Sequence, residues 1–193
     1  MKRVGVLALQ GDFEAHGKAL ERSGAAPVFV RSAADLDGLD GLVIPGGEST
    51  TMLKLLREEG LMEPVHEFGL RHPIFGTCAG AIMLAAEVSR PAQESFGLMD
   101  IGVERNGYGR QIDSRVTTFA AEPEFETRTQ PGAVEAVFIR APIIRRVGAR
   151  ARVLARYQGD PVLVEQGPHL AATFHPELTA DTRVHQLFLK KLE

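Results

Sequence analysis

Over the first half of the chain two hydrophobic rhythms alternate. Val4 to Leu9, Pro27 to Val30, Gly41 to Ile44 and Pro73 to Phe75 are nearly unbroken apolar runs. Such runs, without two-residue alternation, are the pattern of strands buried on both faces. Between them Phe13 to Ser23, Thr50 to Glu58 and Glu63 to Arg71 space their apolar residues as helices do, and Ala79 to Val88 reads as another helix. Strand and helix in alternation predict an α/β fold. The expectation is one domain, residues 1–193, on a doubly wound, mostly parallel sheet with helices on both faces.

From Leu98 to Val164 the texture changes to short β-prone pieces separated by Gly and Pro: Ile101 to Glu104, Val116 to Ala120, Val134 to Ile139 and Val153 to Tyr157. These are expected to extend the sheet or to add an antiparallel flap. The end returns to the earlier pattern, with Leu170 to Phe174 as a strand and Asp181 as the N-cap of a closing helix to Leu192. Parallel sheets bind ligands beyond the carboxyl ends of their strands. The segments to watch are therefore QGD after the first run, PGGEST after the third and GTCAG after the fourth.

Composition narrows the classes. With 193 residues, 44% of them apolar and 24% charged, the chain can bury an ordinary core without disulfides or metals. A formal net charge of −3 argues against a nucleic-acid surface. Arg145, Arg146, Arg150, Arg152 and Arg156 read as a solvated face. The start, MKRVGVLALQGD, imitates a signal peptide, but its apolar run is short and meets Gln10 and Asp12, so it reads as a buried first strand. No apolar run approaches the roughly 20 residues that span a bilayer, and no membrane partner is expected. A single cysteine cannot form an internal disulfide, which agrees with a reducing, cytoplasmic location.

That cysteine carries the candidate chemistry. Gly76-Thr77-Cys78-Ala79-Gly80 has the form Gly-x-nucleophile-x-Gly, in which a sharp strand-to-helix turn thrusts the central side chain outward. A thiol nucleophile needs a base. His16, His66, His72, His169 and His185 read as surface or helix residues, whereas His175 ends the run LAATF and opens His175-Pro176-Glu177. In an extended segment residues i and i+2 point the same way, so Glu177 would orient the His175 imidazole. Cys78, His175 and Glu177 thus form a nucleophile, base and orienter set. Two glycines in Pro45 to Thr50 let backbone N–H groups approach a substrate, making Gly47 and Ala79 the candidate oxyanion donors, with Ser49 or Thr50 capping the next helix. Gln10 and Gly11 fall on the same rim and are candidates for coupling that loop to a partner. The loop lacks the Lys of a phosphate loop, and no cluster has zinc-like spacing, so neither nucleotide nor metal is expected.

Six segments together, LALQGDFEAH, LVIPGGESTTM, FGTCAGAIML, VERNGYGRQ, VFIRAP and TFHPELTADTR, closely resemble, in that order, the glutaminase subunits of pyridoxal 5'-phosphate synthase, the PdxT/SNO family of class I (triad) glutamine amidotransferases. The resemblance implies a flavodoxin-like fold of the class I type. It implies hydrolysis of L-glutamine to glutamate and ammonia without a cofactor. The ammonia would pass to a synthase subunit of PdxS/SNZ type, which builds pyridoxal phosphate from a pentose phosphate and a triose phosphate. Carried onto this sequence, the family makes Cys78, His175 and Glu177 catalytic and assigns glutamine contacts to Gly47, Glu48, Ser49, Arg105, Ile139 and Arg140. A guanidinium suits an α-carboxylate, and Arg105 and Arg140 both qualify. One departure from the family, Gly107-Tyr108 in place of a larger residue and Phe, bears on positioning near Arg105.

Overall fold

The computed structural model describes residues 1–106 and 115–193, so Gly107-Tyr108 lies outside the described residues. The first half runs β1 (Arg3–Leu7), α1 (Phe13–Arg22), β2 (Ala26–Val30), β3 (Gly41–Ile44), α2 (Ser49–Glu58), α3 (Met62–Gly69), β4 (Ile74–Thr77) and α4 (Ala79–Leu84). Then follow β5 (Ala85–Ser89), β6 (Met99–Glu104), β7 (Arg115–Phe119), α5 (Pro123–Arg128), β8 (Val134–Phe138) and β9 (Ile143–Val147). The chain closes with β10 (Arg152–Tyr157), β11 (Asp160–Gln166), β12 (His169–Ala172) and α6 (Arg183–Lys190).

A seven-stranded sheet in the order β10-β11-β12-β4-β3-β1-β2 forms the centre. Strands β2, β1, β3, β4 and β12 are parallel, and β11 and β10 continue the sheet antiparallel. The unbroken apolar runs are explained by cores on both faces. Leu42, Ile44 and Ile74 pack with Met52 and Leu56 of α2 and Val65 of α3 on one side. Val43 and Phe75 pack with Leu20 of α1 and Leu187 and Phe188 of α6 on the other. Neither face can turn polar, because each residue of β3 and β4 is buried whichever way it points. The parallel strands all end at one rim, which collects the loops after β1, β3, β4 and β12.

The β-prone second half does both things expected of it. Beyond the antiparallel extension, β5-β6-β9 form a three-stranded sheet and β7-β8 an antiparallel pair with α5 between them in sequence. The helix expected from Ala79 to Val88 stops at Leu84, and Ala85–Ser89 pairs parallel with β6 instead. All six residues of α4 are buried. Another helical turn would carry Glu87 toward the same core, whereas a strand leaves it exposed. The closing helix begins at Arg183 with Thr182 as formal cap, yet Asp181 Oδ1 accepts from the Arg183 amide at 3.1 Å, the bond that an N-cap makes. The arginine-rich face is laced with ion pairs: Arg146 meets Asp100 at 2.7 Å and Glu87 at 3.3 Å, while Arg145 reaches Glu104 and Arg152 reaches Glu124. Among the described residues no helix is long and apolar enough to cross a membrane.

Candidate active site

Cys78 sits between β4 and α4 with φ 51° and ψ −106°, a left-handed conformation that a residue with a β-carbon adopts only under constraint. The constraint is visible in its neighbours. A β-carbon on Gly76 would lie 2.4 Å from the Gly80 carbonyl oxygen, and one on Gly80 would lie 2.0 Å from the Ile44 oxygen. Only glycines permit so tight a turn. The Cys78 amide donates to the Ala172 carbonyl at 2.8 Å, tying the elbow to β12. The residue is 5% exposed, and its sulfur lies 3.8 Å from the Ile139 carbonyl oxygen, to which the S–H can donate.

His175 arrives from the end of β12, with its amide donating to Val137 of β8 at 2.8 Å. Nδ1 meets Glu177 Oε1 at 2.6 Å, so Nε2 is the nitrogen left for the Cys78 thiol. The backbone between them is not extended as the sequence suggested: Pro176–Leu178 is a 3-10 turn. Pro176 starts that turn with its fixed φ and no amide to satisfy, and the turn folds Glu177 back onto the imidazole. Burial, the largest influence on His175, pushes its pKa down. Hydrogen bonds to Cys78 and Glu177, with their charges, outweigh it and raise the pKa to about 10.

The Gly-Gly loop closes over this pair. A β-carbon on Gly46 would fall 2.4 Å from His175 Cε1 and 3.2 Å from Cys78 Cβ. Gly47 has φ +133°, and a β-carbon there would strike the Gln10 side chain at 2.1 Å. Gln10 holds the loop from both ends, its Nε2 donating to the Gly46 carbonyl at 3.3 Å and its Oε1 accepting from the Glu48 amide at 3.1 Å. Gly11 leaves room for the same carbonyl, which a β-carbon would approach to 1.9 Å. The cap of α2 is Glu48 rather than Ser49 or Thr50: its carboxylate accepts from the amides of Thr50 at 3.0 Å and Thr51 at 2.7 Å. Two oxygens satisfy two end amides, where a hydroxyl would satisfy one. Partial burial works to raise the Glu48 pKa, but these threonine bonds prevail and lower it.

Of the other expected residues, Ala79 is buried directly after the nucleophile, and Ser49 Oγ donates to Gln93 Oε1 at 3.0 Å. Arg105 donates to Thr50 Oγ1 at 2.7 Å and lies 3.5 Å from Glu48 Oε1, beside the loop. Ile139 brings its carbonyl to Cys78, and the exposed Arg140 follows with φ 44°. Asp12, His175 and Glu177 bring ligand-type atoms within 4.8 Å of one another, with His175 Nδ1 and Glu177 Oε1 paired to each other.

His16 and His185, which the sequence offers as surface or helix residues, are fully buried beside this site. His16 Nδ1 and His185 Nε2 are 3.0 Å apart, and His16 Nε2 is 3.0 Å from Thr77 Oγ1 and 3.4 Å from Glu177 Oε2. Burial lowers both pKa values, aided for His16 by the charges of His185 and His175 and for His185 by Arg22; His185 falls to about 3. The usable signal was spacing. Phe13, His16, Gly17 and Leu20 share one face of α1, as Val184, His185, Leu187 and Phe188 do on α6.

This mostly parallel α/β sheet, which carries the cysteine elbow, the His175–Glu177 pair and the Gly-Gly loop at one rim, has the fold of the glutamine amidotransferases. A crystal structure of a glutamine amidotransferase superposes with a TM-score of 0.88 at 47% sequence identity, covering 98% of each chain. The chain belongs to the SNO glutamine amidotransferase family, whose sequence model matches residues 6–193. Its relatives include the pyridoxal 5'-phosphate synthase subunit PdxT of Solibacter usitatus, 67% identical over 192 residues and covering 100% of both chains. The PdxT subunit of Koribacter versatilis is 56% identical over 188 residues, covering 97% of this chain and 94% of the relative. PurLQS from Thermotoga maritima, at 18% identity and a TM-score of 0.77, shares the fold.

Proposed function

We propose that this chain is the glutaminase subunit of a pyridoxal 5'-phosphate synthase, and that residues 1–193 act as one catalytic domain. It hydrolyses L-glutamine to L-glutamate and ammonia, and it hands the ammonia to a synthase subunit. The relatives named PdxT support the biological setting. The observation that carries the chemistry is the 2.6 Å pairing of His175 with Glu177, behind a cysteine held in a strained elbow.

The Cys78 thiolate attacks the side-chain carboxamide carbon of glutamine, and negative charge develops on its oxygen. The backbone N–H groups of Gly47 and Ala79 are the donors assigned to that oxygen. Imidazolium at His175 gives its proton to the departing nitrogen, ammonia leaves, and a γ-glutamyl thioester remains on Cys78. Water then attacks the thioester, His175 takes a proton from it, and glutamate leaves as the thiolate is restored. Glu177 keeps Nδ1 protonated throughout, so that Nε2 always faces the reaction. At the far end of the substrate, Arg140 is exposed whereas Arg105 is engaged with Glu48 and Thr50. We assign the α-carboxylate to Arg140, with Arg105 fixing the loop that carries Gly47, Glu48 and Ser49.

Ammonia released to water is protonated and loses its nucleophilicity, so a closed route to the synthase goes with this reaction. The thiol must stay reduced, which suits the cytoplasm. The test is to mix the chain with the synthase subunit and amide-labelled glutamine. Label entering pyridoxal phosphate, with one glutamate formed per ammonia, supports the reading. Glutamine left intact in the complex contradicts it.

A further inference from the structure

His16 and His185 are buried, and the chemistry above uses neither. Glu177 spends Oε1 on His175, but its Oε2 is fully enclosed and has no hydrogen-bond partner of standard geometry among the described residues. A buried carboxylate oxygen left without a donor is costly. The group that faces it is His16 Nε2, at 3.4 Å.

Whether that nitrogen carries a proton follows from the pair of imidazoles. Among the described residues His185 Nδ1 is buried without a hydrogen-bond partner. An enclosed N–H with no acceptor costs more than an enclosed lone pair with no donor, since the lone pair forgoes the weaker solvation. His185 therefore keeps its proton on Nε2 and donates it to His16 Nδ1, 3.0 Å away. His16, uncharged because burial lowers its pKa, must then hold its own proton on Nε2. That N–H is hydrogen-bonded to Thr77 Oγ1 at 3.0 Å, and its nitrogen also faces Glu177 Oε2 at 3.4 Å.

We propose that His16 is a positioning residue for the glutaminase reaction, its Nε2–H anchoring the second oxygen of Glu177 while the first holds His175. The inference rests on the roles given above to Cys78, His175 and Glu177. A carboxylate hydrogen-bonded at one oxygen and attracted to an N–H at the other resists rotation about its terminal torsion, which keeps the imidazole it holds facing the thiol. Among the described residues the titratable groups about this anchor are Asp12 and His175 beside Glu177 and His185 beside His16, the charge of Arg22 bearing on His185. Thr77, one residue before the nucleophile, joins the anchor to the elbow.

Two isopolar substitutions separate anchoring from packing. The amide nitrogen of a glutamine reaches the position of an imidazole Nε2, whereas that of an asparagine reaches only Nδ1. With the synthase subunit present, His16→Gln is expected to keep kcat within about twofold, and His16→Asn to lose roughly tenfold or more, KM for glutamine being unchanged in both. In a Glu177→Gln background the difference between the two should shrink to within about twofold, because residues acting through one another are not additive. Equal kcat in His16→Gln and His16→Asn, or the same gap with and without the Glu177 carboxylate, overturns the inference while leaving the triad standing. An unimpaired Glu177→Gln single variant overturns both. Melting curves on each variant keep unfolding from passing as lost turnover.

Discussion

Gly46 and His175 are packed so closely that the glycine has no room for a side chain: a β-carbon would stand 2.4 Å from the imidazole Cε1. The loop after β3 is thus fitted to the histidine after β12, and the two hold each other in place across Cys78. Gly46→Ala is expected to displace the imidazole or the loop. Misplacement of about 1 Å at a reacting centre can cost about 100-fold, and a loss of that order is the expected outcome in kcat. Steady-state glutaminase kinetics with the synthase present check it, and an unchanged kcat would mean that the loop is not part of the site.

Gln10 clamps the Gly46-Gly47 peptide, with Nε2 on the Gly46 oxygen and Oε1 on the Glu48 amide. In a trans peptide the Gly47 N–H points opposite to the Gly46 carbonyl, so whatever turns that carbonyl turns the oxyanion donor. A synthase subunit pressing on Gln10 and Gly11 would select one orientation, and one such donor is worth about 100- to 1,000-fold in rate. The wild-type chain alone is expected to be a poor glutaminase, strongly stimulated by the synthase, and Gln10→Ala is expected to lose most of the stimulation. Glutamate formation with and without saturating synthase measures both. Full activity of the isolated wild-type chain would remove the gating role.

The buried histidines set a pH dependence of stability. His185, lowered to about 3, and His16, also lowered, are neutral when folded, against an ordinary value of 6.5. A depressed folded pKa means that the unfolded chain binds more protons, so this stability is present in full above pH 6.5 and is lost as pH falls below it, for His185 toward about 3. Each histidine supplies a slope of up to about 1.4 kcal/mol per pH unit in that window. His175 acts oppositely: raised to about 10, its contribution is full below pH 6.5 and lost as pH rises through about 10. Urea midpoints are expected to fall between pH 6.5 and about 5, above the range where carboxylates dominate. Midpoints flat over that interval would mean that both rings are charged or solvated in the fold.

How far the sequence could be read varies along the chain for physical reasons. β1, β3 and β4 were legible because strands buried on both faces leave continuous apolar runs. β9, whose residues include Arg145 and Arg146, and β11, which opens Asp160-Pro161, carry charge and a proline that mask their strand character. α5 has a single buried residue, Phe125, and so no periodicity to detect. At the site, the glycines around Cys78 were legible because a tight elbow admits little else. The cap at Glu48 was misread because hydroxyl caps are commoner than carboxylates reaching two amides. The His16–His185 pair joins residues 169 positions apart, and no local pattern announces a partner at that distance.

The central claim is a covalent thioester at Cys78. The direct measurement is acid quenching of the synthase complex during turnover of labelled glutamine, followed by mass spectrometry of the peptide containing Cys78. The account predicts a γ-glutamyl group on the Cys78 sulfur in the wild type. It predicts no adduct and no glutamate formation in Cys78→Ala, whose melting temperature should hardly move, because alanine fits among Thr77, Ala79 and Gly80. Glutamate formed at the wild-type rate by Cys78→Ala, or an adduct on another residue, would contradict it.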